Sequence, residues 1–156
     1  WEEYDRGTST LEEVTAAISG MTGRPVETCA AVLRLAVDLQ EPVKPTERLV
    51  GDLKAAGYRL YVLSNMSREF IAFLRRFPVY RLFDGEVVSC EEGTVKPEPR
   101  IYEILLERYG LDPAETLFID DRAANIAAAE GLGIAGYLFD HRNPAAACDE
   151  LRRRLL

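Results

Sequence analysis

FIDDRAANIAAAEGLG, residues 118–133, is the stretch whose reading decides the fold. With Thr116 and Leu117 before it, its apolar start predicts a short strand over 116–119 that ends at Asp120. Two carboxylates, Asp120 and Asp121, follow at once, and residues 122–131 then carry a helical pattern stopped by glycine. Strand, acid pair and helix make half of a βαβ unit, with the acids beyond the carboxyl end of the strand, where open α/β sheets bind ligands. Two adjacent carboxylates repel at neutral pH unless a cation or hydrogen-bond donors compensate. An oxygen-rich site with few protein ligands suits magnesium, which keeps waters and takes further ligands from a substrate phosphate. The plainer reading, polar residues that open a loop and cap a helix, is weaker for two adjoining acids than for a single polar residue.

The same alternation extends on both sides. Residues 46–56 predict a helix closed by Gly57, residues 58–63 a strand ending at Ser64, and residues 67–76 a helix. A short strand over 85–89, a helix from Pro99 to about Tyr109, a strand from Ile134 to Phe139 and a last helix over 144–155 complete the series. Strands separated by helices of this length imply right-handed βαβ units and a parallel sheet. Residues 9–40 differ: they read as two helices, the first opened by the capping-box spacing Thr10 to Glu13, the second running through Val26, Ala30, Leu33 and Val37. Pro42 and Pro45 then break the chain. The expected organisation is a helical sub-domain over residues 1–45 and an α/β core over residues 46–156.

A parallel sheet brings Ser64 and Asn65, at the end of one strand, to the same edge as Asp120 and Asp121. A third element is EGTVKPEP, residues 92–99, which sets Lys96 just before a helix start. A helix N-terminus offers unpaired amides and a dipole that favours an anion. Taken singly, Ser64 is a loop-opening hydroxyl and Lys96 an ordinary loop lysine. Together, hydroxyl, lysine and acid pair make a site for a phosphate bridged to a metal.

These three segments resemble motifs of the haloacid dehalogenase (HAD) superfamily, subfamily IA, whose members carry an α-helical cap. LSN (63–65) is similar to the second motif, VKPEPRIY (95–102) to the third and residues 118–133 to the fourth. The resemblance covers roughly residues 46–140, with residues 1–45 in the place of the cap. It implies a Rossmann-like core and a Mg2+-dependent phosphomonoester hydrolase that works through an aspartyl-phosphate intermediate. Its substrate would be a small phosphorylated metabolite such as a sugar phosphate. It casts Ser64, Lys96 and Asp121 as catalytic; Ser64, Asn65 and Lys96 as phosphate-binding; Asp120 and Asp121 as metal ligands; and Asn125 as a supporting residue, although a plain helix-start asparagine is an equal reading. Asp5, Arg6 and the tyrosines near the cap are further candidates for substrate contact.

One departure is as informative as the match. The family's first motif is an AspXAsp at the end of a central strand, whose first Asp attacks phosphorus, and no AspXAsp occurs in these 156 residues. The first residue is Trp1 rather than Met. The expectation is therefore that the nucleophile lies outside this chain, and that the strands ending at Ser64 and Asp120 flank the place of the central strand without pairing with each other. Those two strands are apolar enough to be buried on both faces.

Composition sets outer bounds. Hydrophobic residues make up 47% and charged residues 29%, the profile of a folded soluble domain. The net charge of -7 disfavours nucleic acid and anionic membranes as partners, and no apolar run is long enough to cross a bilayer. Cys29, Cys90 and Cys148 are odd in number and unpaired in spacing, which predicts reduced thiols, a cytoplasmic setting and no zinc site. A dyad of Cys90 with His141, the single histidine, is a remote possibility. A receiver domain uses similar residues in a different order, and a carbon–halogen dehalogenase usually lacks the acid pair. The serious rival is a non-catalytic HAD-like binding or regulatory protein. The sequence does not fix the oligomeric state.

Overall fold

Four strands of four residues each carry the β structure: β1 Tyr61–Ser64, β2 Gly85–Val88, β3 Leu117–Asp120 and β4 Ala135–Leu138. They come from a computed structural model that describes residues 1–156. β1 pairs in parallel with β2, and β3 with β4, as two separate ribbons. β1 and β3 share no ladder, as expected for strands flanking the place of a third.

The register shows which backbone groups face that place. Asp84 N–H donates to the carbonyl of Leu60, and Ala135 and Phe139 N–H groups donate to the carbonyls of Thr116 and Asp120. Successive residues of a strand point their polar backbone groups to opposite sides, so Tyr61 and Leu63 on β1, and Leu117 and Ile119 on β3, face the inner edges. The expectation of burial on both faces is corrected here: every residue of β1 is only half-buried and Ile119 is 37% exposed. With no strand on the inner edge, neither ribbon has the neighbour that closes a central strand from water.

Helices hold the ribbons together from both sides. On one face α7 (Pro99–Tyr109) and α8 (Ala123–Glu130) bury Ile101, Tyr102, Leu105 and Ala129 with Val87 of β2 and Ile134, while Leu63 and Phe118 pack alongside. On the other, α4 (Lys44–Ala55) and α9 (Pro144–Leu155) close Leu49, Leu53, Cys148 and Leu151 over Tyr137, with Leu60 and Leu117 at the margin. Ribbons and helices thus form a three-layer α/β arrangement, with helices on both faces of the strands, as the resemblance implies. Each helical layer spans both ribbons, so the molecule holds its shape although the ribbons do not hydrogen-bond to each other.

The helical unit is α2 (Leu11–Thr22) and α3 (Val26–Asp38), packed together across the turn 23–25. The capping box at Thr10 and Glu13 forms with both its bonds, and Gly23 ends α2 at φ 66°. α3 touches α5 (Arg68–Leu74), the helix that follows β1. Two four-residue helices, α1 (Glu2–Asp5) and α6 (Ser89–Glu92), pack on each other, so α1 lies on the core side. No helix is long and apolar enough to cross a membrane.

Candidate active site

β1 and β3 end at the same edge, and Lys96 joins them. Its ammonium donates to the Leu63 carbonyl on β1 at 2.9 Å and to Asp120 Oδ2 on β3 at 2.7 Å. Both side chains are nearly enclosed, at 10% and 7% exposure, and the Phe118 ring lies 5.5 Å from the ammonium. The other oxygen of Asp120 accepts from the Arg122 N–H and from Asn125 Nδ2, each at 2.9 Å. Lys96 is thus shared between a backbone carbonyl and a carboxylate, with one of its three ammonium donors left over.

Asn65 holds the backbone of Lys96 rather than its side chain. Its Nδ2 donates to the Lys96 carbonyl at 2.9 Å and its Oδ1 accepts the Lys96 N–H at 2.7 Å. The backbone N–H of Asn65 and the hydroxyl of the half-buried Ser64 have no partner in the protein, so both are available to an anion. Asn125 is buried at 2% exposure, and its Oδ1 has no hydrogen-bond partner. The Tyr102 hydroxyl donates to the Asn125 carbonyl at 2.9 Å, and burial, reinforced by the Asp120 charge, pushes that hydroxyl's pKa up.

Asp121 behaves differently from its neighbour. Its carboxylate is half-exposed, and the exposed His141 ring stands beside it, with Nδ1 at 3.5 Å. An acid pair with one oxygen-saturated member and one open member fits magnesium, which takes one or two protein carboxylates and fills its remaining positions with water and phosphate. No cluster of three or more His, Cys, Asp or Glu side chains stands ready to cage a metal.

The remaining candidates fall elsewhere. Arg6 donates through both terminal nitrogens, to Glu2 and Glu98, and the Tyr4 hydroxyl donates to Glu69 at 2.6 Å, so these groups are engaged within the protein. Cys90 is packed with Ile71 and Val88, and burial raises its pKa, whereas His141 is exposed beside Asp121. A Cys90–His141 dyad is not formed. Sequence reasoning missed Glu98 altogether, although it stands in the quoted stretch 92–99.

The chain matches known proteins along most of its length. The family model for haloacid dehalogenase-like hydrolases covers residues 4–133. The sesquiterpene phosphatase astK of Aspergillus oryzae is 31% identical over 155 residues, 98% of this chain and 78% of that protein. A glyceraldehyde 3-phosphate phosphatase of Methanothermobacter thermautotrophicus is 31% identical over 117 residues, 74% of this chain and 52% of that protein. The chain spans only 10% of another curated relative, the acyl-CoA dehydrogenase family member 10 of Mus musculus. Among solved structures, a HAD-family enzyme from Bacteroides thetaiotaomicron, crystallised with magnesium and inorganic phosphate, superimposes with a TM-score of 0.75 at 29% identity, covering 88% of this chain and 74% of that one. With its family model spanning most of the chain and its parallel ribbons superimposing on a HAD enzyme, this chain belongs to the haloacid dehalogenase-like hydrolases.

Proposed function

We propose that this chain forms the phosphate- and metal-binding part of a Mg2+-dependent phosphomonoester hydrolase. The observation that carries the reading is the convergence, at one sheet edge, of Lys96 on both ribbons, the free Ser64 hydroxyl and Asn65 N–H, and the open carboxylate of Asp121. Ser64, Asn65 and Lys96 would hold the equatorial oxygens of a transferring phosphoryl group, the contribution proteins mostly make to such chemistry. Asp121 would hold the metal directly and Asp120 would support it. Magnesium, when bound, draws phosphate and nucleophile together against their repulsion. Asn125 would keep Asp120 in place. Residues 1–45 would act as cap and residues 46–156 as core, with α1 resting on the core. Two relatives named as phosphatases of small molecules and a structural neighbour crystallised with magnesium and phosphate support the assignment. A small phosphorylated metabolite is the expected substrate class.

The nucleophile would arrive on a strand lying parallel between β1 and β3. Ribbon strands lie about 4.8 Å apart, so one strand needs a gap of roughly 10 Å between its two neighbours. Such a strand would pair with Tyr61 and Leu63 on one side and Leu117 and Ile119 on the other. The second reading is a binding or regulatory protein on the same fold that holds phosphate without turning substrate over.

One experiment separates them. The chain is supplied with an apolar strand peptide ending in AspXAsp, or fused to one through a flexible linker, and hydrolysis of an aryl phosphate is followed with and without magnesium. The hydrolase reading expects metal-dependent turnover that Asp121→Asn abolishes while the fold persists. Full activity in Asp121→Asn overturns the metal assignment. Phosphate binding without turnover, in a complex shown to have formed, favours the regulatory reading.

A further inference from the structure

We propose that Arg6 is a positioning residue that fixes, through Glu98, the loop presenting Lys96 to phosphate. The proposal rests on the reading of Lys96 as a phosphate ligand. Arg6 lies between α1 and α2, about ninety positions from the loop, yet its guanidinium grips Glu98 with both prongs: Nη1 donates to Oε2 at 3.0 Å and Nη2 to Oε1 at 2.6 Å. Nη1 also donates to the Gly93 carbonyl at 3.4 Å, at the start of the loop. The same Glu98 carboxylate gathers the loop around itself, accepting from the Thr94 hydroxyl at 2.6 Å and the Val95 N–H at 3.3 Å, while the Glu98 N–H closes back on the Val95 carbonyl at 2.8 Å. Residues 93–98 are therefore wound on one carboxylate, with Arg6 as its counter-charge. Lys96 sits inside that winding, and Asn65 holds its backbone from the opposite side.

The segment carrying Arg6 is itself pinned. Gly7 adopts φ 78°, and a Cβ there would run into the Cys90 carbonyl, so only glycine lets the chain lie against α6. The Ser89 hydroxyl donates to the Asp5 carbonyl. A two-pronged pair with side chains 24% and 42% exposed adds little to stability, because water screens it. What the fork adds is direction: a planar guanidinium fixes a carboxylate in position and orientation, which a point charge does not. Arg6, then Thr94, hold the Glu98 carboxyl down to a pKa of about 2, so the pair stays ionised at any ordinary pH.

A ligand displaced by about 1 Å loses on the order of a hundredfold in effectiveness, and a looser loop gives part of that. The test is the affinity of the chain for inorganic phosphate, with magnesium present, followed by phosphorus NMR. Arg6→Ala and Glu98→Gln are each expected to weaken binding about tenfold, a tenth or so of that limiting loss. Arg6→Lys keeps the charge, loses the fork and is expected to stay weakened, which supplies a folded variant if Arg6→Ala fails to fold. The decisive arm is the Lys96→Ala background. There Arg6→Ala is expected to weaken binding no further, because the residue it positions is gone, whereas a merely structural role lowers affinity by the same factor in both backgrounds. Equal factors in the two backgrounds, or unchanged binding in Arg6→Ala, overturn the proposal while leaving Lys96 a phosphate ligand. Unchanged binding in Lys96→Ala itself overturns the phosphate reading and the proposal with it.

Discussion

Lys96→Met tests the ion pair on which the site is built. The 2.7 Å pair with Asp120 is almost fully enclosed, and it links β1 to β3 where no backbone ladder does. At an effective dielectric of about 20, two unit charges that close attract by roughly 6 kcal/mol. Desolvation of the two ions offsets several kcal/mol of that, so the intact pair is worth little against an apolar replacement. Breaking it from one side is different. Asp120 keeps its bonds from Arg122 and Asn125 but remains a buried, uncompensated anion, a situation that costs about 3–5 kcal/mol. For a chain of this size each kcal/mol moves Tm by about 2–4 °C, so Lys96→Met should melt roughly 6–20 °C lower. Asp120→Asn should cost a similar amount by stranding the ammonium. Lys96→Met with Asp120→Asn should cost less than the sum of the two single losses, by a coupling energy of about 1–3 kcal/mol. The assay is urea or thermal unfolding of the four proteins, read by circular dichroism. Single variants that each lose less than about 1 kcal/mol, with a strictly additive double, would mean that water screens the pair and that the enclosed geometry has been misread.

Two further outcomes concern ionisable groups. Arg6 and Thr94 depress the Glu98 pKa to about 2, below its unfolded value of about 4.3, so its contribution is fully present above the unfolded value and lost as pH falls through the folded one. The stability difference between the protein and its Glu98→Gln variant should therefore be constant above about pH 5 and shrink from there toward pH 2; a difference that grows on acidification refutes the assignment. Burial, with Glu91 adding to it, raises the Cys90 pKa, and all three thiols are buried. Iodoacetamide at neutral pH should label the native chain about tenfold or more slowly than the urea-unfolded chain, and equal rates would mean that the thiols are open.

Strand and helix order were legible because each α/β unit is long enough for its period to show. The predicted helices over 46–56, 99–109 and 144–155 fall close to α4, α7 and α9, and each predicted strand contains one of the four observed. The four-residue α1 and α6 are shorter than any period that pattern reading can detect, and their packing on each other joins segments more than eighty residues apart. At the candidate site, Ser64 and Asp120 are legible as candidates because each ends a strand, and Lys96 because it stands shortly before a helix start. Their bonding was not legible. Nothing local says that Lys96 pairs with Asp120, that Asn65 holds the backbone of Lys96, or that Asn125 reaches Asp120. The contact between Arg6 and Glu98 leaves no local trace, because an arginine and a glutamate in ordinary loops look alike whether or not they meet.

The charges of the assembled site explain why a lysine and an acid pair belong together in this arrangement. Lys96 and Asp120 form a neutral unit, so the lysine does not by itself offset the charge of an incoming phosphate. A phosphate monoester brings close to two negative charges at neutral pH. Asp121 adds one more, and the exposed His141 3.5 Å away gives it only a weak partner. Three negative charges would then gather at one sheet edge against a single unshared ammonium proton, the Asn65 N–H and the Ser64 hydroxyl. These donors orient the oxygens but do not balance them. On the proposed reading, a divalent cation held by Asp121 would offset much of that charge, within the one or two protein carboxylates that magnesium usually takes. On that reading Asp120 would fix Lys96 in place while supporting the metal site, and Asp121 would be the direct metal ligand. The two adjoining carboxylates have different tasks because one is spent on the lysine and the other is left open.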